Sequence, residues 1–399
     1  MATYPVPPAR LGLAYSSSSS SATRIAPDWS ARIPALDGLR GIAIFLVLLR
    51  HGIFGLESSS SVVNHLLAVG RLSGSGVDLF FVLSGFLIGG ILLDARESPR
   101  YYTTFYARRA YRILPLYLAL LGLFLLRHLP IPFLPGILGD ASPLAIPWIV
   151  YLAFMQNYFM VHLGWFGPPA MVVTWSLAIE EQFYLLIPFM IRKIRGERLV
   201  AGLVFVIAGA PFLRLLLRHT LAHGDFACFA FMPCRADALC LGVLSAYLVR
   251  RPAFWKQLMA RRRLLAWVGG ILFAGLVFIT YQNYPILSLP MTTWGYSWIA
   301  LFYTCCLLAV ISARAGVWHS ILCNPLLMRL GTLAYCTYLF HYPLIQGARR
   351  GLNVLVPLHP EATYVGGALL AIAFTIVLAA LSWRFFEKPL LRRGHKYQY

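Results

Sequence analysis

Eleven apolar stretches of helical length, separated by segments that hold most of the basic residues, restrict this chain to one kind of architecture. Backbone N–H and C=O groups find no partner in hydrocarbon, so a spanning segment must be a helix or part of a closed barrel. Barrel strands alternate apolar and polar residues, whereas these stretches are continuously apolar. They cover 36–56, 76–93, 113–129, 144–160, 175–192, 199–217, 229–249, 264–281, 296–313, 330–346 and 364–383. Only 12% of the 399 residues are charged, about half the share in soluble domains. The fold expected is an all-α, polytopic membrane helix bundle.

The basic residues decide how many of the stretches cross. Arg10, Arg24, Arg32 and Arg40 precede or open the first, and Arg96, Arg100, Arg108, Arg109 and Arg112 follow the second, so both groups belong on the cytoplasmic side. If 144–160 crossed, the run Arg192 to Arg198, then Arg250, Arg251, Lys256 and Arg261 to Arg263, would fall outside. That stretch carries Pro147, Gln156 and Asn157 and has a short apolar core. Read as re-entrant or interfacial, it leaves about ten transmembrane helices with both termini inside, and only Arg349 and Arg350 against the rule. The net charge of +20 is therefore a topology signal, and no nucleic-acid partner is expected.

Residues 1–32, with Pro5, Pro7, Pro8 and six serines from Ser16 to Ser21, lack the apolar core of a cleavable signal and read as a disordered cytoplasmic tail. Residues 33–390 form one membrane domain and 391–399 a basic cytoplasmic tail. The seven cysteines show no CxxC spacing and read as buried thiols. No metal is expected. His219, His223 and Asp225 have metal-like spacing but lack a third firm ligand.

Ionisable groups inside apolar helices are costly, and they mark function or a structural pair. In "LDGLRGIAIFLVLLRH", Arg40 and His51 are eleven residues apart, which puts them within about 20° of each other on a helix, ~16 Å apart along its axis. Asp37 shares the stripe, which runs from a membrane surface toward the midplane. In "GVDLFFVLSGFLIGG", Asp78 needs a partner, and Arg40 is the one expected; Gly85, Gly89 and Gly90 allow close helix approach. In "RRAYRILP", Arg109 and Arg112 share one face at a cytoplasmic helix start, as anchors or as a phosphate clamp. In "TWSLAIEEQFYLLIP", Ser176, Glu180 and Tyr184 form a polar stripe, and Glu181 points elsewhere, toward a structural basic partner. In "YCTYLFHYP", His341 follows Tyr338 near the outer end of a span. With His51 it supplies the side chain best suited to proton transfer near neutral pH.

Taken together and in order, "ALDGLRGIAI", "GVDLFFVLSGFLI", "RRAYRILPLY", "TWSLAIEEQFYLLIP", "RADALCLG", "YCTYLFHYP" and "FFEKP" resemble the motifs of membrane acyltransferase family 3, whose bacterial members O-acetylate surface glycans. The resemblance implies a ten-helix bundle in the bacterial cytoplasmic membrane. It implies an acyl-CoA-dependent O-acyltransferase, with acyl-CoA (acetyl-CoA by family habit) as co-substrate, no permanently bound cofactor, and a glycan or glycoside hydroxyl as acceptor. Carried over by residue, Arg40 and His51 match the family's essential pair, Arg109 and Arg112 its Arg-x-x-Arg element, and Glu180 and His341 polar positions of later motifs. His51 would act as general base or acyl carrier. Many members add a C-terminal esterase-like domain; this chain is expected to lack it, leaving room for a separate periplasmic partner. The rival reading is a transporter or flippase of a lipid-linked sugar or acyl group, which would line a pathway with the same charges.

Overall fold

A computed structural model describes residues 31–54, 72–126, 146–313, 315–355 and 360–399, with Trp29, Leu67 and Gly70. The Ser-rich tail lies outside the described residues, apart from its end, where Trp29 packs edge-on against Trp255 and Phe86. The helices in chain order are α1 (Pro34–Gly52), α2 (Gly76–Asp94), α3 (Tyr101–Leu126), α4 (Trp148–Leu152), α5 (Gln156–Leu163), α6 (Thr174–Lys193), α7 (Gly196–Thr220) and α8 (Gly224–Ala230). They continue as α9 (Met232–Val249), α10 (Pro252–Ala260), α11 (Arg262–Tyr281), α12 (Tyr296–Ser312), α13 (Val317–Leu322), α14 (Pro325–Leu355), α15 (Pro360–Ser382) and α16 (Lys388–Gly394). Among the described residues there is no strand.

Seven segments are long and apolar enough to cross a membrane; they contain α2, α3, α7, α9, α11, α12 and α15. Three further long helices, α1, α6 and α14, have 19, 20 and 31 residues. These three carry His51, Glu180 with Glu181, and His341, and they are less apolar than the other seven: α1 also holds Asp37, Arg40 and Arg50. The ten coincide with the ten expected spans. Stretch 144–160 instead gives α4 and α5, of 5 and 8 residues, too short to cross. Side-chain amides tie the break and the start of α5 into the bundle. Gln182 Nε2 donates to Phe154 O at 2.7 Å, Gln156 Nε2 to Thr174 O at 3.0 Å, and Asn157 Nδ2 to Ala230 O at 3.0 Å. Irregular backbone at membrane depth is tolerated only when protein supplies such partners.

The packing of α1 on α14 gives an independent check on the crossing number. Contacts advance together along both helices: Gly41 meets Leu327, Ile44 and Val47 meet Ala334, His51 meets His341, and Gly52 meets Arg349. The two helices are therefore parallel. With each long helix crossing once, α14 is the ninth, and parallel only because α4 and α5 do not cross. Gly41 and Gly331 make this contact possible, since a Cβ on either would collide with backbone of the other helix. His51 and His341 each lie ten residues beyond their glycine and so reach the same height.

Helix α2 crosses α9 at Gly85 and Gly242, each lying against backbone of the other helix. This crossing gives Asp78 a different partner from the one expected. Arg235 of α9, fully buried, donates to its carboxylate, and Arg40 faces elsewhere. The Arg235 guanidinium also lies 4.1 Å from the Tyr296 ring centre. A second buried pair, Arg214 with Asp237 at 3.0 Å, links α7 to α9, and Ser297 of α12 hydrogen-bonds both at 2.6 Å. Removing one partner of such a pair strands a charge. Asp78→Ala is therefore expected to cost about 3–5 kcal/mol, read as a lowered unfolding midpoint in detergent. Pairing it with Arg235→Met should recover much of the loss. An unchanged midpoint for Asp78→Ala would remove the pair from the account of stability.

Candidate active site

A cavity of about 260 Å³ opens between α1, α2, α3, α6 and α14. Its polar lining is Arg40, Arg109, Arg112, Glu180, Tyr184, Ser84, Ser176, Tyr335 and Tyr338. Three cations thus face one space. Among the described residues, none of the three guanidinium groups makes an ion pair or a hydrogen bond; Arg109 lies 5.7 Å from the Tyr184 ring centre. The one carboxylate in the lining, Glu180, accepts from Ser84 Oγ at 2.5 Å. Three partly buried guanidinium groups around a single carboxylate leave an excess of positive charge that is costly in a low dielectric, and a multiply charged anion would offset it.

Two expectations change here. Helix α3 begins at Tyr101, so Arg109 and Arg112 lie two to three turns inside it, and the backbone N–H groups at that depth are already used by the helix. Any clamp is made of side chains alone. The local pattern did not show this, because the preceding "YYTTFYA" is rich in aromatic and β-branched residues, and its side chains tie it to α6 and to the C-terminal residues. Tyr101 Oη donates to Pro188 O at 3.1 Å, Thr104 Oγ1 to Gln398 O at 2.9 Å, and Arg108 Nε to Tyr397 O at 2.9 Å. Arg40, matched to His51 by spacing, joins Arg109 and Arg112 in the cavity and stands apart from the imidazole. Asp37 lies outside the cavity lining and pairs with Arg32 at 2.6 Å.

His51 and His341 do come together, beyond the outer end of the cavity. Their ring centres are 5.0 Å apart, and His341 Nε2 lies 3.0 Å from His51 Nδ1. The carbonyls around them assign the protons. His341 Nδ1 is 2.7 Å from Tyr338 O, which can only accept, so Nδ1 carries hydrogen and Nε2 carries the lone pair. His51 Nδ1 then donates to His341 Nε2, sharing its hydrogen with Val47 O at 3.1 Å. This leaves the His51 Nε2 lone pair as the basic atom of the pair. Helix α1 ends at Gly52, so His51 stands near the outer end of its helix, past the midplane position expected from the longer apolar run.

Ser176 and Tyr184 sit as the stripe predicts, Ser176 with its Oγ 2.5 Å from Tyr338 Oη. Among the described residues Glu181 does not find its basic partner: Oε1 is buried without a hydrogen bond. Sequence reasoning missed Ser84, Tyr335 and Arg349. Arg349 donates from Nη2 to His51 O at 3.1 Å and Gly52 O at 2.8 Å, closing the end of α1. Its clash with the positive-inside pattern was the available signal.

Fold and cavity define an integral membrane protein with an arginine cradle at one level of the bundle and a histidine pair at another. The family described as "Acyltransferase domain" matches residues 33–384, and the chain belongs to this membrane acyltransferase family. It is similar to the O-acetyltransferase OatA of Staphylococcus aureus (strain NCTC 8325), 26% identical over 390 residues, covering 91% of this chain and 58% of the relative. It is also similar to the peptidoglycan O-acetyltransferase OatA of Listeria monocytogenes, 26% identical over 373 residues, covering 91% and 56%. A putative O-acetyltransferase of Staphylococcus aureus (strain COL) is 27% identical over 394 residues, covering 91% and 58%. The chain thus spans less than two thirds of these relatives' length. No solved structure matches.

Proposed function

We propose that this chain is an O-acyltransferase of the bacterial cytoplasmic membrane that moves an acyl group, acetyl by default, from cytoplasmic acyl-CoA to a hydroxyl of a glycan or glycoside. The observation that carries this reading is the cradle of Arg40, Arg109 and Arg112, three guanidinium groups around one carboxylate and in no ion pair among the described residues, below a histidine pair with one open lone pair. The phosphates of acyl-CoA suit the cradle, and the pantetheine arm carries the thioester along α1 toward His51. His51 Nε2 takes the acceptor's hydroxyl proton, the alkoxide attacks the thioester carbonyl, the C–S bond breaks, and the CoA thiolate leaves with a proton. In the covalent variant His51 Nε2 itself attacks and later yields the acyl group to the acceptor. His341 holds His51 in the required tautomer. Glu180 and Tyr184 line the thioester's path, and Asp37, Asp78 and Ser176 are structural supports.

Purified protein in detergent, given acetyl-CoA labelled in the acetyl group, should release free CoA thiol and pass label to the protein or to an added cell-envelope glycan fraction. A transporter would release no thiol, and that result would overturn the proposal.

A further inference from the structure

The cradle and the histidines do not share one open space. Between them, Ile44 and Val47 of α1 and Ala334 of α14 form a fully buried apolar cluster, closed by Val77, Phe80 and Tyr338. Each histidine hydrogen-bonds to a carbonyl of this collar one turn below it, His51 to Val47 and His341 to Tyr338. Val77, Phe80, Ala334 and Tyr338 also line the outer end of the cavity. A thioester that enters acyl end first, with its phosphates on the arginines, therefore meets the collar before it meets His51.

The collar's two aromatic members differ in freedom. Tyr338 is tied: its hydroxyl donates to Val173 O at 3.1 Å and contacts Ser176 Oγ, while its carbonyl holds His341. Phe80 makes no polar contact and meets Tyr338 only edge-on, with ring centres 6.2 Å apart. It is the bulky group that can yield or be trimmed without disturbing the histidine hydrogen bonds.

We propose that Phe80 sets the acyl chain length this protein accepts, its ring occupying the space a longer chain would need at the collar. The inference rests on the acyl-transfer reading and adds the specificity of the same site. An apolar pocket discriminates by about 10-fold or more per methylene when the fit is tight.

The test is a series of acetyl-, butyryl-, hexanoyl- and octanoyl-CoA, followed by thiol release from the full chain in detergent. Wild type should favour acetyl. Phe80→Ala should raise kcat/KM for butyryl- or hexanoyl-CoA at least ~10-fold and lower it for acetyl-CoA. Phe80→Leu, which keeps most of the packing, should give an intermediate profile and decides the matter if the alanine variant fails to accumulate. Phe212→Ala, 74% exposed on α7, should keep the wild-type profile. If both Phe80 variants turn over acetyl-CoA with the wild-type profile, the selector role is overturned and acyl transfer stands. If wild type cleaves none of the thioesters, the functional reading falls and takes the selector with it.

Discussion

Replacing His51 by alanine is expected to lower kcat for acyl transfer at least ~10²-fold, with the protein still inserted and accumulating as wild type. The basis is the direction of the hydrogen bonds: Tyr338 O fixes the hydrogen on His341 Nδ1, and His341 Nε2 fixes the hydrogen on His51 Nδ1. Without His51 the nearest imidazole lone pair is that of His341 Nε2, set back from the open face of His51 by the missing ring. His341→Ala should also cost roughly 10²-fold in kcat, since His51 then loses the group that selects its tautomer. His341→Gln, which offers an amide oxygen as acceptor, should recover part of that loss. KM for acyl-CoA should change little in all three, because the arginine cradle lies about 16 Å from His51 along α1. A His51→Ala protein within a few-fold of wild type would remove the residue from the reaction.

Arg40→Ala, Arg109→Ala and Arg112→Ala are expected to act in the opposite way. Each should raise KM for acyl-CoA about 10- to 100-fold, the value of a lost charge-assisted hydrogen bond of ~1.5–3 kcal/mol. The effect on kcat should be smaller, because the phosphates lie far from the breaking C–S bond. Arg40→Lys should not restore KM if a planar fork is what holds the phosphate. Acetyl thioesters of pantetheine, which lack the nucleotide, provide the contrast: wild type and the three variants should use them equally poorly. If they are used as well as acetyl-CoA by wild type, the cradle is not a phosphate site. If the arginines only anchored the helices, protein would be lost from the membrane with KM unchanged.

How far these residues were legible varies from one to the next. Glu180 and His341 stood out because an ionisable group in an apolar run is rare enough to be seen in one dimension. Helical periodicity placed Ser176, Glu180 and Tyr184 on one face, and all three line the cavity. The same periodicity grouped Arg40 with His51 and could not show that they serve different ends of the site, since a shared face says nothing of what each neighbouring helix offers. Asp78 needed a partner on any reading, but Arg40 and Arg235 were equally available to a chain without coordinates.

By itself, the sequence determined the bundle, the ten long helices and the broken segment at 144–160, because hydrocarbon forces backbone hydrogen bonds to close locally and basic loops report sidedness. It singled out the ionisable residues that need a partner or a role, because a buried charge is costly without one. Only the tertiary structure decided who meets whom. The glycine contacts of α1 with α14 set His51 against His341, and those of α2 with α9 gave Asp78 to Arg235. The enclosure formed by five helices gathered three arginines from two distant segments. Such pairings depend on helix rotation and axial offset, which side-chain packing fixes between segments hundreds of residues apart.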